Sequence, residues 1–316
     1  MGSFSNELDV ARQVKTTDPA AVKREIDRIF HELYPDASTA AMDRAFQDCA
    51  RMFGGELAGY RACDTAYHDI QHTMEVTLAM ARLIDGYERG RVGVESINEK
   101  LFRLGVITAL FHDAGYILHN DEKDVKNGAE YTLIHVSRGA QFLKEYLPRI
   151  GMADVADIAA SLIHFTGYEQ PVASIRVPGL IYRLLGNLLG SADIIGQMSD
   201  RCYLEKCRDR LYPEFVAGGL TRKRTPEGGE QVVFASGEDL VMKTPNFYTG
   251  ASKRLNSDLE GCYVHVERHF GGQNLYFEEL SKNIRFAQGM AKQGDTSALH
   301  RIPPDTLAKP ETGESE

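Results

Sequence analysis

The chain has 316 residues, 43% of them hydrophobic and 26% charged, the balance of an ordinary globular protein long enough for one large domain or two small ones. With 36 basic against 45 acidic residues its net charge is −9, which supplies no general attraction to nucleic acid or to an anionic membrane, and no nucleic-acid-binding surface is expected. Apolar runs such as Leu104–Phe111 are far too short to cross a bilayer, and nothing at the start reads as a signal peptide. Five scattered cysteines (Cys49, Cys63, Cys202, Cys207, Cys262) form no CxxC pair and read as reduced thiols, so a cytoplasmic location is expected.

Residues 1–18 are polar and are expected to be mobile. Asp18-Pro19 then opens a helix that carries Val22, Ile26, Ile29 and Phe30 on one face. Ser38 can cap a second helix with Met42, Phe46, Ala50 and Phe53, and a third runs from Asp69 to about Tyr87 with Ile70, Met74, Thr77, Leu78 and Ala81 on one stripe. Further helices are predicted over about 95–112, 130–147, 154–164 and 178–211. Their apolar faces are wide, as in a bundle whose middle members are enclosed on most sides. The stretch 212–262 is broken by Gly218-Gly219, Pro226 and Gly228-Gly229; within it Gln231–Ala235 reads as a short strand and Glu238–Met242 as a short helix stopped by Thr244-Pro245. A last helix is predicted over about 276–290, and from 292 to 316 the chain reads as a disordered tail. The fold class expected is therefore all-α: one helical bundle domain over 19–291 with an irregular insertion at about 212–262.

Five segments set a histidine or aspartate among apolar helical residues: Tyr67-His68-Asp69-Ile70-Gln71-His72, Phe111-His112-Asp113, Ile134-His135, Ile163-His164, and Ala192-Asp193-Ile194-Ile195. A carboxylate such as Asp193, flanked by Leu188, Leu189, Ile194 and Ile195, is costly to bury unless a cation meets it. Imidazole nitrogen and carboxylate oxygen are ligands that Zn, Mn, Fe and Co accept, and bundles build metal sites by offering one ligand from each of several helices. His112 and Asp113 are adjacent and diverge by about 100° on a helix, so they address one centre only if the helix ends there, which Ala114-Gly115 permits. His119, His265, His269 and His300 read as hydrogen-bonded structural histidines.

The order His72, His112-Asp113, Asp193 resembles the HD superfamily of metal-dependent phosphohydrolases, and Tyr67-His68-Asp69-x-x-His72 resembles the Y-H-N-x-x-H motif of its class I cyclic-nucleotide phosphodiesterases. The segment His135-Val136-Ser137-Arg138-Gly139-Ala140 is similar to the histidine-led helix of HD domains that hold two metals. The resemblance covers about residues 60–200. It implies that His72, His112, Asp113 and Asp193 hold a first divalent ion, that His135 and His164 hold a second with Asp113 bridging, and that His68 donates a proton to the leaving oxygen. It implies a centre of two divalent ions (Zn, Mn, Mg, Fe or Co) that hydrolyses a small-molecule phosphoester, a nucleotide first among them, by activated water. Asp69 departs from the phosphodiesterase motif, where asparagine is usual. As a helix N-cap it leaves His68 just outside the helix and His72 in the first turn, and its charge is expected to raise the pKa of His68.

Gln197 is a candidate reader of a purine but reads better as a surface polar residue, and Arg222-Lys223-Arg224 reads as a solvated basic loop. The GYP motif of cyclic-di-GMP hydrolases is missing. The sequence singles out no residue that contacts the rest of the substrate and does not fix an oligomeric state. Two rival readings share these residues: an HD-fold di-iron oxygenase that cleaves a C–P or C–C bond, using the same six ligands, and a non-catalytic nucleotide-binding regulatory module.

Overall fold

Helix α3 (Ile70–Gly90) is buried along almost its whole length, on every face, and the other principal helices pack around it. Its direct neighbours are α1 (Pro19–Leu33), α4 (Glu99–Leu110), α7 (Leu180–Ser199) and α11 (Val266–His269); α2 (Ala40–Phe53) leans on α1 and α4, and α12 (Leu275–Gln293) on α7. The remaining helices are α5 (His135–Tyr146), α6 (Ala156–Leu162), α8 (Tyr203–Lys206), α9 (Tyr212–Ala217) and α10 (Gly237–Lys253). The computed structural model describes residues 6–225 and 228–307. The ends of the two segments expected to be mobile, and Pro226, lie outside those residues.

The local causes are those of the sequence. The Asp18 carboxylate accepts the N–H of Ala20, Pro19 opens α1, and the four apolar residues read as its buried face are all buried. In α2 the buried stripe holds Met42, Phe46 and Phe53 but takes Cys49 in place of the exposed Ala50; Thr39 holds the cap position without a side-chain bond, and the Ser38 hydroxyl accepts the N–H of Ala40 at 3.2 Å. The described residues are mostly helical, with one small antiparallel hairpin among them, β1 (Arg222–Arg224) with β2 (Glu230–Val232), so the all-α class holds. Among the described residues no helix is long and apolar enough to cross a membrane, and all five cysteines are free and buried.

Two expectations are corrected. The long helix expected over 178–211 stops at Ser199, because the Asp200 carboxylate accepts the N–H of Cys202 at 2.8 Å and pairs with buried Lys206 at 2.5 Å; the chain resumes as α8, a π-helical turn and α9. The insertion is mostly helical, and Pro245 does not end a helix but sits inside α10. An interior proline costs ~3 kcal/mol, and what lies beyond it supports continuation: Ala251 and Leu255 of the following turns are buried. The described parts of the segments flanking the bundle make contacts with it. Asp9 is buried against Arg82 of α3, Arg208 donates to the Leu299 carbonyl at 3.2 Å, and Arg210 donates to those of Pro303 and Pro304 at 3.2 and 2.5 Å.

Candidate metal centre

Four elements converge at the N-terminal end of α3. Asp69 caps that helix, its Oδ1 accepting the N–H of His72 at 2.9 Å, so His72 lies in the first turn and His68 just before the helix, as expected. Helix α4 ends at Leu110, and a 3₁₀ turn over Ala114–Tyr116 swings His112 and Asp113 to the same side. Gly115 is required there: a Cβ would stand 1.8 Å from the His135 carbonyl, so only glycine lets this turn lie against the start of α5. Arg138 secures the crossing by donating to the Gly115 carbonyl at 2.9 Å and to both oxygens of Glu122 at 2.8 and 3.1 Å. Asp193 comes from the middle of α7, its side chain 13% exposed and facing the cavity that Ile194, Gln197 and Met198 of the same helix also line.

The donor atoms form a tight triangle. His72 Nε2 and His112 Nε2 are 3.2 Å apart, and Asp113 Oδ2 lies 3.2 Å from the first and 3.0 Å from the second. Asp193 Oδ1 stands 3.7 and 3.9 Å from the same two nitrogens. Ligands about 2.0–2.2 Å from one ion and at right angles to each other are ~3 Å apart, so this spacing fits a shared cation. The tautomers fit as well. His112 Nδ1–H donates to the Ala109 carbonyl at 2.8 Å and His135 Nδ1–H to that of Thr132 at 2.7 Å, which leaves each Nε2 with its lone pair free to face the centre. Asp113 Oδ2 is buried with no donor in hydrogen-bonding geometry, an orphan acceptor that a cation would satisfy.

The electrostatics point the same way. Burial opposes a charge on His112, yet Asp113 and Asp193 outweigh it and lift the ring to about 9. Burial also works against the Asp113 carboxylate, but His112, His68 and His72 hold it well below the usual range. Positive charge is thus demanded at this point, and in the absence of an ion protons supply it.

Of the two histidines expected to hold a second ion, one is brought near and the other is not. His135 Nε2 lies 3.7 Å from Asp113 Oδ1, on the side away from the triangle. His164 faces a separate groove of about 540 Å³ with Ser137, Lys144, Asp157 and Arg176, and does not join the centre. The cause is local: α6 ends at Leu162, and in the 3₁₀ turn that follows Phe165 takes the inward position, packed under Gly186 of α7, which turns His164 outward.

Sequence reasoning missed Glu214, Tyr116 and Glu169. Glu214 of α9 is buried, with Oε2 2.5 Å from His68 Nδ1 and Oε1 accepting the N–H of Tyr67 at 2.6 Å. Burial opposes a proton on His68, but Glu214, Asp113 and Asp193 outweigh it and raise its pKa. The raising carboxylate is therefore Glu214, not Asp69, whose oxygens are engaged by the His72 N–H, Arg210 and Thr306. The Tyr116 ring is stacked between His68 and His135, centroids 4.3 and 4.4 Å away. Glu169 receives the N–H groups of Val136 and Ser137 at 3.0 and 3.2 Å and so fixes the first turn of α5, where His135 sits. Gln197 is no surface residue: it donates to Asp193 Oδ1 at 3.0 Å and accepts from the Tyr67 hydroxyl at 3.2 Å.

Above the centre opens a cavity of about 450 Å³ that His68, His72, Asp113, His135 and Asp193 line at its floor. The family model described as HD domain matches residues 69–184, a span that takes in His72, His112, Asp113 and His135 and stops short of Asp193. No curated protein sequence and no solved structure matches the chain.

Proposed function

We propose, from the premise that this chain belongs to the HD-domain superfamily through residues 69–184, that it is a metal-dependent phosphohydrolase cleaving a small phosphoester with His68 as general acid. The observation that carries the reading is the triangle of His72 Nε2, His112 Nε2 and the orphaned Asp113 Oδ2, with edges of 3.0–3.2 Å, at the floor of the cavity. His72, His112, Asp113 and Asp193 would hold a divalent ion, with His135 and the outer oxygen of Asp113 facing the place of a second. Such an ion supplies Lewis acidity toward a phosphoryl oxygen and toward water.

The chain's own residues supply the rest. Nδ1 of His68 is held by Glu214, which leaves Nε2 as the proton-carrying edge, and the stacked Tyr116 ring fixes the plane of the imidazole. Its raised pKa favours the protonated ring, the state a leaving oxygen needs. Gln197 orients Asp193 toward the centre. Nucleotides, cyclic or linear, are the substrates that the likeness to phosphodiesterases puts first for testing; a cytoplasmic location belongs to the same reading.

The oxygenase alternative draws on six ligands, and the position of His164 in another groove weighs against it. The deciding experiment is a phosphoester assay of protein loaded with Mn or Mg under argon. Full turnover without dioxygen is expected; turnover that demands iron and consumes dioxygen would overturn the proposal.

A further inference from the structure

The centre accounts for the floor of the cavity and leaves its walls and roof unexplained. The roof comes from the segment between Leu211 and Phe247, where the rings of Phe215 and Phe234 lie 5.7 Å apart, with Leu220 and Leu240 beside them; Ile194 and Met198 of α7 form one wall. We infer that the substrate carries a single phosphoryl group on an apolar organic body, and that the cavity holds this body by burial and not by hydrogen bonds. The inference takes from the hydrolase reading only the position of the phosphoryl group.

Charge argues against a polyphosphate. Among the described residues the only lysine or arginine on the lining is Lys243, and its Nζ already donates to the Val233 carbonyl at 2.7 Å and to Asp239 at 2.8 Å. The basic run Arg222–Arg224 lies on an exposed strand, and Arg222 is paired with Glu230 at 3.1 Å. A triphosphate would bring three or four negative charges to a site whose lone ammonium is neutralised, in a chain of net charge −9.

Hydrogen bonding argues against a base. Both ends of the Gln197 amide are engaged, and the hydroxyls of Thr132, Thr166 and Thr244 each donate to a backbone carbonyl of their own turn. Among the described lining groups the Tyr168 hydroxyl makes no hydrogen bond and could meet one atom of a nucleobase, but most of the base's donors and acceptors would be buried without partners, at a cost of roughly 5- to 150-fold in affinity for each. An alkyl or aryl group loses nothing there. A cavity of about 450 Å³ is the size that encloses a small organic ligand.

The test is calorimetric titration of the metal-loaded protein with n-alkylphosphonates of one to eight carbons, which bind as phosphoryl groups and cannot be hydrolysed at an ester bond. Affinity is expected to rise about four-fold per methylene until the cavity fills. In Phe234→Ala the gain per methylene should shrink while the affinity of methylphosphonate stays the same. Adenosine triphosphate and 3′,5′-cyclic AMP should both bind more weakly than octylphosphonate. A flat response to chain length in the wild-type protein overturns the inference, as does tighter binding of either nucleotide. Chain-length dependence without hydrolysis of any phosphoester would instead sink the hydrolase reading and leave this one standing.

Discussion

A single carboxylate grips two consecutive residues of the site: Glu214 Oε2 lies 2.5 Å from His68 Nδ1 while its Oε1 accepts the N–H of Tyr67 at 2.6 Å. The largest charge favouring a proton on His68 is thus delivered from α9, 146 residues along the chain. Glu214→Gln should keep the hydrogen bond and remove the charge. Glu214 is the largest contribution opposing burial, with Asp113 and Asp193 still favouring the charged ring, so its loss lowers the pKa and the basic limb of the kcat/KM profile should move to lower pH. On the basic side of the profile the rate falls roughly ten-fold for each unit of that move. A variant with an unmoved limb and unchanged metal content would assign Glu214 to structure alone.

The metal-binding set separates by variant. His112→Ala and Asp113→Ala should lose the ion, whereas His164→Ala should retain it in full, as elemental analysis of protein purified without added metal will read. In the metal-free protein the proton on His112 persists to about 9 and competes with the ion. Between pH 8 and pH 6 the apparent metal affinity should therefore fall about 100-fold, one proton being displaced for each ion bound. A pH-independent affinity would mean that His112 is not a ligand.

What the sequence made legible follows from the distance over which each signal acts. The cap Asp69, the turn at Ala114-Gly115 and the apolar stripe of α1 depend on neighbours a few residues away, and they stand as read. His164 and His135 share a similar helical context in the sequence, and only the packing of Phe165 under Gly186 decides that the His164 turn faces another groove. Glu214 gave no signal, since a glutamate in Tyr212-Pro213-Glu214 is an ordinary first-turn residue until α9 folds back over Tyr67. Asp9 was lost in a polar stretch for the same reason: its partner, Arg82, is 73 residues away on the most buried helix.

That pair carries a stability prediction. The side chains of Asp9 and Arg82 are 3% and 1% exposed, and Asp9 also accepts the N–H groups of Gln13 and Val14 at 2.7 and 2.8 Å. Burial raises the Asp9 pKa, but Arg82 and the two N–H groups outweigh it and hold the carboxyl below its usual value. A depressed folded-state pKa contributes stability above the ordinary carboxylate value, and that stability is lost as pH falls through the folded one. Asp9→Ala leaves Arg82 buried without its counter-charge and should cost about 3–5 kcal/mol, read by denaturant unfolding near neutral pH. In Asp9→Leu/Arg82→Met much of that loss should return. Near-zero cost in the single variant would show the N-terminal segment to be loosely held.

The last prediction concerns the proton itself. His68 sits before the cap of α3, bonded to Glu214 and stacked on Tyr116, and its described hydrogen bonds and ion pairs include none to the three atoms of the metal triangle. As general acid it should matter in proportion to how poor the leaving group is, because an alkoxide cannot depart unprotonated and a nitrophenolate can. General acid catalysis contributes about 10²–10⁴-fold, so His68→Ala should depress turnover of an alkyl ester by roughly that factor. A p-nitrophenyl ester of the same phosphate should lose far less. Metal content should not change, and with Tyr116 and His135 still in place the cavity should keep its affinity for a phosphonate. If both esters slow together, or if the ion is lost, His68 is a ligand or a structural residue, and the proton must come from elsewhere in the site.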